Sequence, residues 1–284
     1  MNNNKKYISK AKKSIIFMLI LAFFMINSCE KKENWQLKNS KEQFLVVDGI
    51  LTNEHKNQTI KLSLSYSDLN GSENSVSGAS VSVSGDNKTY SFHKDTGNDG
   101  VYISDNKFSG VVNETYTLTI NYKNKEYKAY ATMIPVAISN PLPYKQIQGE
   151  NMFYIVADVA SFNPDVSSMY EVTLDWSEIS GYEDLPVSET TARMFFYNLT
   201  TIDVNQIFSS NNETILFPQG TKMTQIKYSL SPQHEEFIRS LLIETQWHGG
   251  FFDIEEGNVY TNITGGAYGF FGACSVVSRS SVVN

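Results

Sequence analysis

From residue 43 onward, hydrophobic and polar residues alternate in short runs separated by turn-forming residues, the period-two pattern of half-buried strands. The first run, Gln43 to Leu51, is rich in β-branched residues and ends at the turn-prone Thr52-Asn53-Glu54. Further runs follow at even spacing: Thr59 to Tyr66, Ala79 to Ser84, Thr89 to His93, Gly100 to Ile103, Tyr116 to Tyr122 and Lys125 to Thr132. In Ser80-Val81-Ser82-Val83-Ser84 the valines share one face and the serines the other, and Tyr116, Leu118 and Ile120 share a face in the same way. Turn signals stand between them at Asn70-Gly71, Gly85-Asp86-Asn87, Gly97-Asn98-Asp99-Gly100 and Lys123-Asn124. Residues 43–134 are therefore expected to form a seven-stranded, immunoglobulin-like or transthyretin-like sandwich.

Pro135, Pro141 and Pro143 interrupt the alternation, so 135–143 is expected to link this domain to a second one over 144–284. There, Met152 to Val159 and Met169 to Trp176 suggest a strand pair joined by Asn163-Pro164-Asp165, and Thr191 to Leu199, Glu213 to Phe217, Met223 to Leu230 and Tyr268 to Val277 add strands. One segment breaks the pattern. Ser231 supplies a cap, Pro232 occupies the first helical position and Glu235 and Glu236 fall in the first turn, with Phe237, Ile238, Leu241 and Leu242 at helical spacing. A helix is expected over about 232–246, packed on the second sheet. The fold class that emerges is mainly β: two consecutive antiparallel β-sandwich domains with one short helix in the second.

The first 28 residues do not belong to that pattern. Lys5, Lys6, Lys10, Lys12 and Lys13 form a cationic region with no acidic residue, followed by twelve apolar residues from Ile15 to Ile26 and then Asn27-Ser28-Cys29. This is the layout of a secretory signal peptide. Twelve helical residues reach about 18 Å, short of the ~30 Å hydrocarbon core, which argues against a permanent span. Ile26-Asn27-Ser28-Cys29 resembles the lipobox of bacterial lipoproteins, and the resemblance implies cleavage before Cys29 and acylation of that cysteine. Acyl chains contribute about 0.8 kcal/mol per buried CH2, so several of them hold a protein on a membrane. Residues 29–42 are polar and form a tether. Acidic residues just after the cysteine, here Glu30 and Glu33, resemble the surface-export signals of Bacteroidota lipoproteins, which favours the cell surface over the periplasmic face.

Composition narrows the function classes. The 284 residues include 16 Tyr and 17 Phe, carry a net charge of -7 and contain two cysteines. Loss of residues 1–28 removes 5 of the 23 basic residues and none of the 30 acidic ones, leaving -12. A nucleic-acid partner would need a basic face, so none is expected. With Cys29 lipidated, Cys274 has no cysteine to pair with, and its small-residue apolar surroundings suggest a buried structural thiol.

No catalytic motif stands out. His234-Glu235-Glu236 looks like the start of a metalloprotease motif, but Ile238 occupies the position where the second His belongs. His55, His93, His234 and His248 lack ligand spacing, and Asp95, Asn98 and Asp99 are explained by turn chemistry. Neither metal nor cofactor is expected, and no catalytic residue is assigned. The aromatic stretch from Trp247 to Phe271 is mostly core-like; its loop members Trp247, Phe251 and Phe252 are the candidate interaction patch.

The order Gly49-Ile50-Leu51, Val76-Ser77-Gly78-Ala79-Ser80-Val81-Ser82-Val83, Asp99-Gly100-Val101-Tyr102 and Tyr116 to Ile120 resembles the carboxypeptidase regulatory-like domain of secreted bacterial proteins. Over residues 29–284 the chain is similar to Bacteroidota lipoproteins of the domain of unknown function 4249 family, through the lipobox, Gly49 to Glu54, the Val-Ser-Gly-Ala-Ser-Val block and the glycine-rich aromatic stretches Gly257 to Ile263 and Gly265 to Phe271. That resemblance implies a lipid-anchored outer-membrane protein without catalysis, an accessory of a TonB-dependent receptor in nutrient capture or uptake. Two other readings stay open: a free-standing surface module for glycan, peptide or metal complex, and a hydrolase with converging carboxylates.

Overall fold

The computed structural model describes residues 43–66, 71–137, 141–156, 167–199, 214–245 and 258–284. Its strands are β1 (Leu45–Thr52), β2 (Thr59–Leu64), β3 (Asn74–Ser75), β4 (Ser80–Gly85), β5 (Lys88–Lys94), β6 (Val101–Ser104), β7 (Thr115–Tyr122) and β8 (Lys125–Thr132). Then come β9 (Tyr144–Gln146), β10 (Met152–Ile155), β11 (Ser168–Asp175), a helical turn α1 (Val187–Thr190) and β12 (Thr191–Asn198). The chain continues through β13 (Phe217–Pro218), β14 (Lys222–Ser229), α2 (Pro232–Thr245), β15 (Tyr268–Cys274) and β16 (Val276–Val282). The protein is thus mainly β, and Lys41–Asn284 cluster as one unit.

Alternation does what the sequence promised in the first eight strands. Val81 and Val83 of β4 and Tyr116, Leu118 and Ile120 of β7 are buried, while Ser82, Ser84, Thr117 and Thr119 between them point outward. Two hairpins close on residues in the left-handed region, Asp86-Asn87 (φ 52° and 54°) and Lys123-Asn124 (φ 50° and 60°). Such paired positive φ values match the twist of the flanking strands. All seven expected strands are present, but as members of one continuous sheet of order β15-β1-β2-β6-β5-β4-β7-β8, with β3 on β2, rather than divided between two layers.

That sheet nearly closes into a barrel, and the carboxy-terminal part of the chain makes the closure. β15 runs parallel to β1 from Val46 opposite Tyr268 to Thr52 opposite Cys274. Beyond it, Thr264 N–H donates to the Lys128 carbonyl of β8 at 2.7 Å, Asn262 Nδ2 donates to the Tyr130 carbonyl at 3.2 Å, and Ile134 bridges Cys274. Phe271 and Ala273 point into the barrel core beside Leu51, Leu62 and Leu118. The strand expected over Tyr268 to Val277 is therefore divided at Ser275: its first half completes the barrel and its second half joins another sheet.

The rest forms a four-stranded sheet, β12-β11-β14-β16, faced by a three-stranded one, β13-β10-β9. Leu142, Phe153 and Phe217 meet Tyr170, Val172, Leu174 and Phe196 between them. Among the described residues the predicted pairing of Met152 to Val159 with Met169 to Trp176 does not form: β10 pairs with β9 and β13, β11 with β12 and β14. Alternation identifies strands but does not choose their neighbours. Leu142, near the end of the proline-rich 135–143 stretch, is buried and donates its N–H to Gln225 Oε1 at 3.0 Å, which anchors that residue to the second sheet.

Helix α2 lies where the sequence places it. Ser231 Oγ accepts the His234 N–H at 3.3 Å, and Ile238 and Leu242, four residues apart, pack on Met169, Leu199 and Leu230. The barrel and the four-stranded sheet meet at a buried knot. Ser229 and Ser275 exchange backbone and side-chain bonds of 3.0 Å, both hydroxyls donate to the Ile134 carbonyl, and Asn53 Oδ1 accepts the Val276 N–H at 2.8 Å.

Candidate functional site

Four residues singled out in the sequence, Cys29, Trp247, Phe251 and Phe252, lie outside the described residues. The ends of the stretch that carries the three aromatics are placed: α2 ends at Thr245, and Tyr260 N–H is tied to Ser240 Oγ of the same helix at 2.8 Å. Both described ends of that stretch lie beside α2.

The first turn of α2 packs on the outside of β15. Gly272 makes this possible, because a Cβ there would stand 3.2 Å from His234 Nδ1. The imidazole stacks on Phe270 with ring centres 4.7 Å apart, Phe237 stacks on the same ring at 4.8 Å, and His234 Nδ1 lies 3.4 Å from Cys274 Sγ. Burial drives His234 down to about 4 and Cys274 up to about 12, so at neutral pH both are uncharged. A thiol held in this state is no nucleophile, despite its neighbouring imidazole. Ile238, where a zinc protease would have its second histidine, is a core residue of the helix.

The turn residues behave as their types suggest. Asp95 accepts from Gly97 N–H at 3.1 Å and Asn98 Nδ2 at 2.6 Å, and Asp99 pairs with Lys94 at 2.7 Å. Among the described residues, no group of three His, Cys, Asp or Glu side chains is placed to hold a metal.

A polar cluster that no sequence spacing signals occupies the face of the four-stranded sheet turned away from β9 and β10. Glu171 of β11 accepts from Arg193 Nε of β12 at 2.7 Å and from Tyr228 Oη of β14 at 2.8 Å. Its side chain is only 13% exposed, whereas that of Arg193 is 62% exposed and lies over the Phe195 ring at 4.9 Å. Burial, then the bond to Glu171, raises Tyr228 well above the ordinary phenol range. The guanidinium is thereby fixed at one end and open at the other, beside the partly exposed Phe195 on an edge strand. Arg and aromatic side chains held in one conformation are the groups that anchor protein interfaces. The cluster unites strands 22 and 57 residues apart in sequence, so only the structure reveals it.

The fold defines a β-rich protein with a nearly closed barrel and a second pair of sheets. Residues 32–280 match the family described as domain of unknown function (DUF4249), and the chain belongs to that family. No curated protein matches it.

Proposed function

We propose that the protein is a lipid-anchored, non-catalytic accessory lipoprotein of a Bacteroidota outer membrane, which associates with a TonB-dependent receptor in nutrient capture or uptake. The observation that carries this reading is the leader: a lysine-rich start, twelve apolar residues and Ser28-Cys29, then a polar tether ahead of the folded body. Acylated Cys29 holds the body at the membrane surface, and the pinned Arg193 with Phe195 gives it a contact face toward a membrane neighbour. Native outer membranes solubilised in mild detergent and captured through a tag after Asn284 test the reading. Stoichiometric recovery of a TonB-dependent barrel is expected, and recovery should fall in Arg193→Glu and Phe195→Ala. A solitary lipoprotein in the eluate overturns the accessory role.

A further inference from the structure

The barrel carries a second surface of a different chemical kind. On its outer side, Ser91 of β5, Ser82 of β4 and Thr119 of β7 stand directly opposite one another in one row, which ends at Lys128 of β8. The next row is Thr89, Ser84 and Thr117, ending at Tyr130. Strand geometry separates neighbours by about 4.8 Å across the strands and the two rows by about 6.8 Å. None of the six hydroxyls has a hydrogen-bond partner among the described residues. Each offers a donor and two acceptors to an outside molecule. Tyr130 is 52% exposed and presents an aromatic ring at the end of its row.

Charge tells which molecule fits. Outward strand positions commonly hold Lys and Glu, which keep proteins soluble. The six positions here hold none, although the chain has a net charge of -7. Two ion pairs border the rows, Lys128 with Glu126 at 2.7 Å and Lys88 with Asp86 at 3.5 Å, and the His93 imidazole hydrogen-bonds Asp105 at 2.7 Å. At the six hydroxyl positions themselves a charged polymer finds no opposite charge to pair with. A neutral chain dense in hydroxyls finds repeated hydrogen-bond partners and, at Tyr130, a ring on which the apolar face of a sugar can lie.

We infer that the outer face of β5, β4, β7 and β8 is a binding strip for an uncharged polysaccharide. The strip lies on the barrel and the Arg193 face on the four-stranded sheet, so the inference stands or falls apart from the receptor association. Its test is native affinity electrophoresis of the full lipoprotein in mild detergent, through gels cast with galactomannan, with mixed-linkage β-glucan or with dextran sulfate. At least one neutral polymer is expected to retard the protein, and dextran sulfate is not. Thr117→Glu places a charge in the centre of the strip and Tyr130→Ala removes the ring; each should weaken retardation about tenfold. Both positions face outward, and an unchanged thermal midpoint verifies the fold of each variant. Passage unretarded through both neutral gels overturns the inference, as does equal retardation of wild type and both variants.

Discussion

The phenol of Tyr228 donates to the Glu171 carboxylate at 2.8 Å across adjacent strands, and the same carboxylate accepts from Arg193 on the other side. The two bonds differ in worth because the partners differ in exposure. Replacing Glu171 by Ala strips the partly buried Tyr228 of its acceptor and should cost about 1–2 kcal/mol. Replacing Arg193 by Ala removes a solvent-screened partner and should change stability by about 0.5 kcal/mol or less. Urea unfolding of the two variants separates these outcomes; equal losses would show that the guanidinium, not the phenol, is the partner that matters.

Gly269 has φ +91°, and a Cβ there would overlap the Val47 carbonyl oxygen on β1. Gly269→Ala should therefore push β15 off the barrel, costing about 3 kcal/mol or more. Gly149 provides the control, with φ +86° and open space around it. Its Ala variant should lose only the backbone term, about 1 kcal/mol. Thermal unfolding that ranks the two variants the other way would rule out close packing at Gly269.

His234 gives the fold a definite acid response. Burial lowers its folded pKa to about 4, below the ordinary imidazole value of about 6.5 kept in the unfolded chain, so the unfolded chain takes up the proton first. The stabilisation is complete above pH 6.5, declines as pH falls, and is gone below about pH 4, a loss on the order of 3 kcal/mol. Denaturant midpoints measured from pH 7.5 to 4 should fall less steeply in His234→Asn than in wild type. Parallel curves would mean that other groups govern the acid limb.

Cys29→Ala should abolish labelling by a palmitate analogue and move the protein out of the membrane fraction. Retention of the variant in membranes would place the attachment elsewhere, in a partner or an uncleaved leader. In wild type, buried Cys274 should resist iodoacetamide until denaturant is added.

Local signals were readable and distant ones were not. Lys125 to Thr132 matches β8 end to end, and Ser231-Pro232 with its acidic first turn marks the start of α2 to the residue. Each rests on residues within one turn or one strand of the feature they specify. The position of β15 beside β1 depends on strands more than two hundred residues apart, and alternation is silent on partners. Gly269 carried a hint, since glycine among aromatic strand residues signals close backbone approach, but it does not name what approaches. The cluster at Glu171 escaped for the same reason: its members are ordinary outward strand residues until register brings them side by side.

Closure of the barrel by β15 also sets a timetable. β1 is among the first segments of the folded body to be synthesised, and its parallel neighbour is among the last. In the interval, both β1 and β8 display unpaired backbone groups, an invitation to aggregation that holding chaperones would have to cover. Contacts of such long separation also slow the search for the native state. The carboxy-terminal segment thus works as a check on completeness: a nascent chain interrupted before Asn262 keeps two adhesive edges and remains recognisable to quality control.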